Sequence, residues 1–365
     1  MLNKIIIIIL CILFLLILFK INKGKNRIES FKLSNDELIN NNIKYSERIN
    51  KLEQEYINLN GDYEKPIYRY YKEKKNKTKY CYTTVLMIDE NYVPSTLGLV
   101  HSIKKHGAVY DTVLFVQDVP YYQRDINGNI MNILPGVSIN TIEDLKKEFD
   151  EVIGFDLIQI NGYKPQRDHF TSNIHYHNIN YYVSKLIILS YTDYEKMFYI
   201  DSSALFNNNI DFIFDKYNES AFIIDYEWLN TNIGLRGTLY LYVPKKHYFT
   251  KAMYLINNFK QYFDDEYHSR GIDELILYYT IFPNWSKELL PGNLGCYEFK
   301  YKKEDCNIYY YQINKPFKNN TVSNGNDPRK YEYWDKNIDD LLKKRPEYKK
   351  YYVHIPVFRD INFEL

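Results

Sequence analysis

The pattern of apolar and polar residues predicts an α/β body organised around one short buried strand. Residues 197–200 form an unbroken apolar and aromatic run that stops at Asp201, which is typical of a strand buried on both faces. Residues 207–209 are three asparagines that signal a turn and a helix start, and residues 210–215 predict a short helical turn. Ligands bind at the carboxyl edge of open α/β sheets. Asp201 is therefore a candidate functional residue.

A second group of apolar runs predicts a βαβ unit upstream of this strand. Residues 80–87 are rich in β-forming residues, residues 113–116 are a second apolar run, and an amphipathic helical pattern lies between them. A strand, a helix and a parallel strand make the first unit of a nucleotide-binding half. Residues 221–225 predict a further strand that ends in an acid, and residues 127–140 predict a surface insertion.

The segment before the body begins with a candidate membrane anchor. Residues 5–19 are an unbroken apolar run between Lys4 and Lys20. At about 1.5 Å per residue the run spans about 22 Å, short of the ~30 Å hydrocarbon core, but flanking lysines can snorkel and the bilayer can thin. No small-residue cleavage pattern follows, which favours a retained anchor over a removed signal peptide. We predict a transmembrane anchor over residues 1–21.

Residues 22–79 are predicted to be a partly helical stalk or linker. Ser34 and Glu37 form a capping box ahead of a helical apolar pattern. The alternative is a polar, solvated linker. The charged run at residues 72–79 predicts a solvated hinge that leads into a body over residues 80–365.

Composition narrows the function less than the motifs do. A net charge of +1 over 365 residues excludes the basic footprint of a nucleic-acid-binding protein. Cys296 and Cys306 are close enough in sequence to pair but need not do so. N-glycosylation sequons, which an Asn-rich chain also produces by chance, begin at Asn76, Asn218, Asn284 and Asn319.

The central stretch, TDYEKMFYIDSSALFNNNIDFIFD, resembles the core of glycosyltransferase family 8, the glycogenin-like retaining glycosyltransferases. Similar motifs follow in the same order over about residues 80–360. The resemblance implies a GT-A-type fold, a Rossmann-like mixed sheet flanked by helices, here preceded by the transmembrane helix and stalk. In the family this strand ends in Asp-x-Asp, which holds Mn²⁺ or Mg²⁺ on a UDP-sugar. Asp201 keeps the first acid and Ser203 replaces the second, so the motif is degenerate.

The resemblance also assigns residues to the donor nucleotide. The loop Asp89-Glu90-Asn91-Tyr92 is similar to the family's Asn-Asp-x-Tyr, which implies that Tyr92 stacks on uracil and that Asp89 accepts a hydrogen bond from the base. The alternative for Tyr92 is a loop aromatic that covers the core. Lys185 matches a lysine expected to reach the diphosphate or the sugar, where a cation would offset charge on the departing UDP. Its alternative is an exposed helix lysine.

Later motifs match the family in part. In Leu235-Arg236-Gly237 only the glycine of the family's Asn-Ser-Gly survives. Asp273 is kept from a Gly-Gly-Asp-Gln-Gly motif, which implies contact with the transferred sugar; an acid favoured at a helix start is the alternative. Residues 351–355 predict a late strand that ends near His354, an implied metal ligand. Arg359 is close enough in sequence to serve as the phosphate cation.

Three further segments have separate interpretations. Residues 149–153 resemble the family's strand after its second helix, whereas residues 314–347 have no counterpart and are interpreted as an insertion or acceptor-side flap. A His-rich piece contains His169, and His175 and His177 would share one face of a strand and could bind a metal. No acid or cysteine is spaced to complete that metal site.

Two hypotheses for function follow. The first is a membrane-anchored hexosyltransferase that moves a sugar from a UDP-sugar to an unknown glycan or protein acceptor with retention, using Mn²⁺ or Mg²⁺. The second is a catalytically impaired protein of the same fold that binds sugar nucleotides or glycans or acts as a scaffold, which the Ser203 replacement favours. The side of the membrane stays open: positive charge after the apolar run favours a cytoplasmic body, whereas membrane-anchored transferases of this kind face the lumen.

Overall fold

The computed structural model describes most of the body of the protein. The described residues are 66–87, 90–124, 130–158, 183–224, 235–258, 272–281, 290–291, 294–297, 306–310 and 329–352. The chain divides into two units, Met1–Asn60 and Gly61–Leu365, and every described residue lies in the second. The predicted anchor and most of the predicted stalk lie outside the described residues. No helix among the described residues is long and apolar enough to cross a membrane.

The described segments are organised around strands. In chain order these are β1 (Arg69–Lys72), β2 (Tyr80–Leu86), β3 (Asp111–Gln117), β4 (Tyr121–Arg124), β5 (Ile130–Leu134), β6 (Glu151–Phe155), β7 (Lys196–Ile200), β8 (Ala204–Phe206), β9 (Ala221–Ile224), β10 (Leu235–Tyr242), β11 (Gly295–Tyr297) and β12 (Ile308–Tyr310). The α-helices are α1 (Val93–Lys105), α2 (Ile139–Glu148), α3 (Phe212–Lys216), α4 (Lys246–Asn257), α5 (Ile272–Ile281) and α6 (Arg329–Lys344). Shorter 3₁₀ helices cover Glu90–Tyr92, Lys185–Ser190 and Pro346–Tyr351.

A seven-stranded mixed sheet in the order β1-β6-β3-β2-β7-β10-β9 forms the centre of the body. Strands β6, β3, β2 and β7 are parallel, and β1 and β10 pair antiparallel at β6 and β7. The predicted α/β class and the predicted βαβ unit, β2-α1-β3, are confirmed. The other predicted strands of the sheet also form, as β6, β7 and β9.

The central strands are apolar because both faces of the sheet are covered. Helix α1 packs on one face and buries Leu97, Val100 and Ile103. On the other face the 3₁₀ helix Lys185–Ser190 packs against α4, and the hydroxyl of Tyr242 in β10 donates to the backbone oxygen of Ile188 at 3.0 Å. With apolar contacts on both sides, β2, β3 and β7 need no alternation of polar residues.

Helix α6 is part of the core, so it is not the acceptor-side flap that the sequence suggested; residues 314–328 lie outside the described residues. Trp334 and Ile338 are buried against α1. Gly98 in α1 permits the close approach, since a Cβ there would lie 3.1 Å from Cδ1 of Ile338. Asn337 Nδ2 donates to the Gly98 oxygen at 3.1 Å. The segment is Lys-rich, but its apolar stripe faces inward.

A second, three-stranded sheet in the order β11-β12-β8 follows the central strand. Strand β8 begins three residues after Asp201 and pairs antiparallel with β12, placing Tyr310 opposite Ala204. The disulfide Cys296–Cys306 links β11 to a residue two positions before β12, with a Cα–Cα distance of 5.8 Å. The pairing that the sequence left open is therefore formed.

The charged run at residues 72–79 is not the solvated hinge that its composition predicts. Strand β1 adds to the edge of the main sheet before residue 80. Lys77 then pairs with Glu151 at 3.0 Å, and Lys74 pairs with Asp111. Both acids are almost fully buried in the sheet. Buried carboxylates require such partners. The run therefore covers the amino ends of β3 and β6, where these two acids lie.

Residues 351–352, the first two of the predicted strand over residues 351–355, are not in a strand, and residues 353–355 lie outside the described residues. Tyr351 ends the 3₁₀ helix Pro346–Tyr351, and Tyr352 follows in a turn. The Tyr352 hydroxyl donates to the Pro94 oxygen at 2.9 Å, so this segment lies against the start of α1. Tyr351 and Tyr352 favour a β-strand by their residue type, but in the structure their hydroxyls donate to Asp144 and Pro94. The predicted insertion at residues 127–140 includes the β5 strand of a hairpin and the first residues of α2.

The packing of α6 on α1 gives a first prediction. We expect Trp334→Ala to destabilise the body by about 3–5 kcal/mol, because it leaves a cavity at a fully packed site. The exposed neighbour Lys336 offers a control, since Lys336→Ala should change stability by less than about 0.5 kcal/mol. The midpoints of urea unfolding measure both. Equal midpoints for Trp334→Ala and the native chain would show that α6 is not part of the core.

Candidate functional site

The site begins where β7 ends, at Asp201. The Asp201 backbone N–H donates to the Thr238 oxygen at 2.9 Å, which ties the end of β7 to the start of β10. Because β10 runs antiparallel to β7, its first residues lie at the same edge as the carboxyl ends of β2 and β7. Asp201 thus lies at the edge where the sequence predicts a site.

The Asp201 carboxylate is held by two tyrosine hydroxyls. Tyr199 donates to Oδ1 at 2.5 Å, and Tyr310 donates to Oδ2 at 2.9 Å. Tyr199 is two residues upstream, next to the last residue of β7, so its side chain lies on the same side of the chain as the Asp201 carboxylate that it contacts. Burial raises the pKa of the Tyr199 hydroxyl well above its usual range, which keeps it protonated as a donor. Tyr310 comes from β12 of the three-stranded sheet.

Ser203 follows in the turn between β7 and β8. Its side chain is only 4% exposed. A serine hydroxyl brings no charge, whereas affinity for hard divalent cations grows with the number of charged oxygen ligands. Among the described residues no group of three or more His, Cys, Asp or Glu side chains could hold a metal ion. The described donor set, one carboxylate bound by two phenols and a buried hydroxyl, does not fit the Mn²⁺ or Mg²⁺ site that the resemblance implies.

The start of β10 explains why its glycine is kept. The Gly237 N–H donates to Oε1 of Glu274 at 3.0 Å. A Cβ on Gly237 would lie 2.5 Å from Cγ of Glu274, so only glycine lets this side chain reach the strand. Glu274 lies in the first turn of α5, and α5 packs on β10. The glycine therefore serves to dock α5 at the site edge.

Thr238, the next residue, adds a buried polar atom at the same place. Its side chain is 9% exposed, and Oγ1 has no hydrogen-bond partner within the described part of the chain. An unpaired buried hydroxyl is costly. Thr238 is therefore a candidate to bind a ligand atom at this edge.

The structure describes two of the residues that the sequence assigns to the donor nucleotide, Lys185 and Tyr92. Lys185 begins the 3₁₀ helix ahead of β7 and is only 9% exposed, so the alternative of an exposed helix lysine is wrong. Tyr92 is half-buried and packs against two apolar clusters, which include Val93 and Trp334. A role in covering the core is therefore present, and its stacking on a base stays a prediction.

The side chains of the remaining predicted site residues lie outside what the structure describes. Asp273 is the second residue of α5, and its side chain lies outside what the structure describes. The following positions lie outside the described residues altogether: Asp89, His169, His175, His177, His354 and Arg359.

Sequence reasoning missed the two tyrosines that hold Asp201. The position of Tyr199 was available from the sequence, because side chains two apart on a strand share a face. Tyr310 lies 109 residues from Asp201, and no local pattern connects them. Thr238 was also missed, since a threonine in a strand is ordinarily a β-former and not a ligand.

Comparisons with known proteins add similarity only at the level of structure. No protein-family model matches the chain, and no curated protein matches it. The galactosyltransferase LgtC, solved with donor and acceptor sugar analogs, is similar at 13% identity and a TM-score of 0.48 over 74% of this chain and 99% of that one. The glycosyltransferase GlyE of Streptococcus pneumoniae TIGR4 is 14% identical with a TM-score of 0.44, over 73% of this chain and 64% of that one. Mouse xyloside xylosyltransferase 1 is 12% identical with a TM-score of 0.41, over 66% of this chain and 99% of that one. All three are named as glycosyltransferases, but likeness at this level carries no argument about activity.

The contact between Gly237 and Glu274 gives a second prediction. We expect Gly237→Ala to destabilise the body by about 1–3 kcal/mol, because the new methyl group collides with Glu274. In a Glu274→Ala background the same change should cost about 1 kcal/mol less, since the collision is gone. Urea unfolding of the four proteins of this cycle measures the coupling. Additive effects would exclude the collision as the cause.

Proposed function

We propose that this chain is a retaining glycosyltransferase of GT-A type that transfers a hexose from a UDP-sugar to a glycan or protein acceptor. The observation that carries the proposal is the position of Asp201 at the switch point of the sheet. From β2 the chain moves outward through β3 and β6, and then returns to β7 on the other side of β2. Nucleotides bind in the crevice that opens at such a point, beyond the carboxyl ends of the strands.

The residues around this crevice support a sugar nucleotide as the ligand. Tyr92 ends the 3₁₀ helix after β2, and its side chain packs against a cluster that includes Leu86, the last residue of that strand. Thr238, whose backbone oxygen accepts from the Asp201 N–H, carries a buried hydroxyl. The order of the family-like motifs over the body adds independent support.

The proposed transfer breaks the bond between the anomeric carbon and the diphosphate oxygen and forms a bond from that carbon to an acceptor hydroxyl. The acceptor hydroxyl gives its proton to water, and UDP leaves with the bonding electron pair. Negative charge therefore grows on UDP, and a cation positioned there stabilises the transition state. Lys185 is the residue proposed for this role.

A specific observation favours the second candidate function, a binding module without efficient transfer. Both oxygens of Asp201 already accept hydrogen bonds, and Ser203 replaces the second acid. A protein of this kind would bind UDP and release none from UDP-sugars. Measuring UDP release with several UDP-sugars separates the two candidates, because only the enzyme produces free UDP.

The proposed stacking of uracil on Tyr92 gives a third prediction. We expect Tyr92→Ala to weaken UDP binding by about 1–3 kcal/mol, the range for stacking of a base on an aromatic ring. Tyr70→Ala on β1 is the control, because Tyr70 is 49% exposed and lies on the edge strand, separated from β2 and β7 by β6 and β3. Calorimetric titration of the full chain with UDP measures both. An unchanged affinity in Tyr92→Ala would leave Tyr92 as a core-covering residue.

We also propose that the chain is anchored by residues 1–21 with its body in an oxidising compartment. The Cys296–Cys306 disulfide supports this side, because such bonds persist mainly in secretory and extracellular compartments. Two of the sequons begin at asparagines that are exposed in loops, Asn76 and Asn218. These features oppose the orientation that the positive charge after residue 19 favours.

This orientation gives a fourth prediction. In eukaryotic cells the full chain should remain with membranes and lose apparent mass on treatment with an N-glycosidase. Asn76→Gln and Asn218→Gln should each lower the apparent mass by one glycan, because both asparagines are exposed to the enzyme that attaches N-glycans. Gel mobility with and without reductant reports the disulfide. An unglycosylated protein whose Cys296 and Cys306 both react with a maleimide would place the body in the cytoplasm.

A further inference from the structure

The resemblance implies that Asp201 is a metal ligand, but its carboxylate has the contacts of an internal anchor. Its backbone N–H is bound to β10, Oδ1 is bound to the Tyr199 hydroxyl, and Oδ2 is bound to the Tyr310 hydroxyl. A carboxylate that ligates a metal is also hydrogen-bonded. Here each oxygen accepts a hydrogen bond from a phenol, so one lone pair on each oxygen remains for an ion.

The two phenols are fixed by the fold. Tyr199 is fully buried in β7 and stacks on Tyr240 with 5.0 Å between ring centroids. Tyr310 is 3% exposed and pairs in register with Ala204, directly after Ser203. The disulfide at Cys306 closes the loop that leads into the same strand. Neither hydroxyl can leave Asp201 by a simple side-chain rotation into solvent.

The chemistry of the donors decides between a metal and a hydrogen-bond cluster. Hydrogen bonds to an ionised carboxylate are stronger than neutral ones, and their strength is greatest in a buried, low-dielectric site. A divalent cation would have to share the carboxylate with two such donors. From the described residues it would gain one carboxylate and the neutral hydroxyl of Ser203, a weak set for a hard cation.

We propose that the Tyr199–Asp201–Tyr310 cluster replaces the divalent cation in this protein, and that a nucleoside diphosphate binds at the site without a metal. This inference rests on the proposed function, since it concerns the same crevice. Asp201 then serves as a positioning residue that joins β7, β10 and β12. The diphosphate charge is met by side-chain cations such as Lys185, which is already buried beside the sheet.

The first test is a calorimetric titration of the full chain with UDP, once with excess EDTA and once with Mn²⁺. We expect the two dissociation constants to agree within about twofold. A loss of affinity of about tenfold or more in EDTA would overturn the inference and leave the proposed function intact. Absence of UDP binding in both conditions would overturn the proposed function, and the inference with it.

The second test removes one donor. Tyr310→Phe keeps the ring but frees Oδ2 of Asp201, so we expect Mn²⁺ to bind at least about tenfold more tightly than to the native chain. Tyr309→Phe is the matched control, because this tyrosine is the neighbour on β12 and its side chain points to the opposite face. Circular dichroism verifies that both variants fold, and titration with Mn²⁺ alone gives the affinities.

Two results of this second test would overturn the inference. If the native chain binds Mn²⁺ at micromolar concentration, the tyrosines do not exclude the ion. If Tyr310→Phe and Tyr309→Phe bind Mn²⁺ equally, the Tyr310 hydroxyl is not what protects Asp201. Lys185→Met adds an independent readout, because loss of UDP binding in EDTA is expected when the side-chain cation is removed.

Discussion

The pairing of β7 between a parallel and an antiparallel neighbour is the constraint on which the site depends. On one side β7 follows the direction of β2, which gives the sheet its switch point. On the other side β10 runs in reverse, so that its first residues, and not its last, meet Asp201. A fully parallel strand at this place would bring a different loop to the crevice. The reversed strand brings Gly237, and through it the first turn of α5.

The strands of the central sheet were predictable because they carry strong local signals. Apolar runs bounded by polar stops placed β2, β3, β7 and β9 close to their observed positions. The failures have physical causes. Helix α6 was misinterpreted from its average polarity, although Trp334, Ile338 and Leu341 have the spacing of one helix face. The charged run before β2 was misinterpreted because a sequence does not show that Asp111 and Glu151 are buried.

The site was predictable in part for a different reason. Asp201 and Gly237 follow from motifs, and each motif lies on one element. What the motifs do not contain is the set of contacts between elements. Tyr310 and Glu274 reach the site from strands and helices far along the chain, and only the assembled sheet brings them together. The difference between a metal ligand and an anchored carboxylate lies in these contacts, since Asp201 itself is the same residue in both cases.

The contact between α6 and α1 has a consequence for how the protein is made. Asn337 bonds to Gly98 across 239 positions of sequence, so one side of α1 stays uncovered until the ribosome has released most of the chain. Contacts of such long range form slowly, and apolar surface that waits for its partner is prone to aggregate. We therefore expect the nascent body to remain incompletely folded through most of translation, with chaperones protecting the exposed side of α1 until α6 emerges.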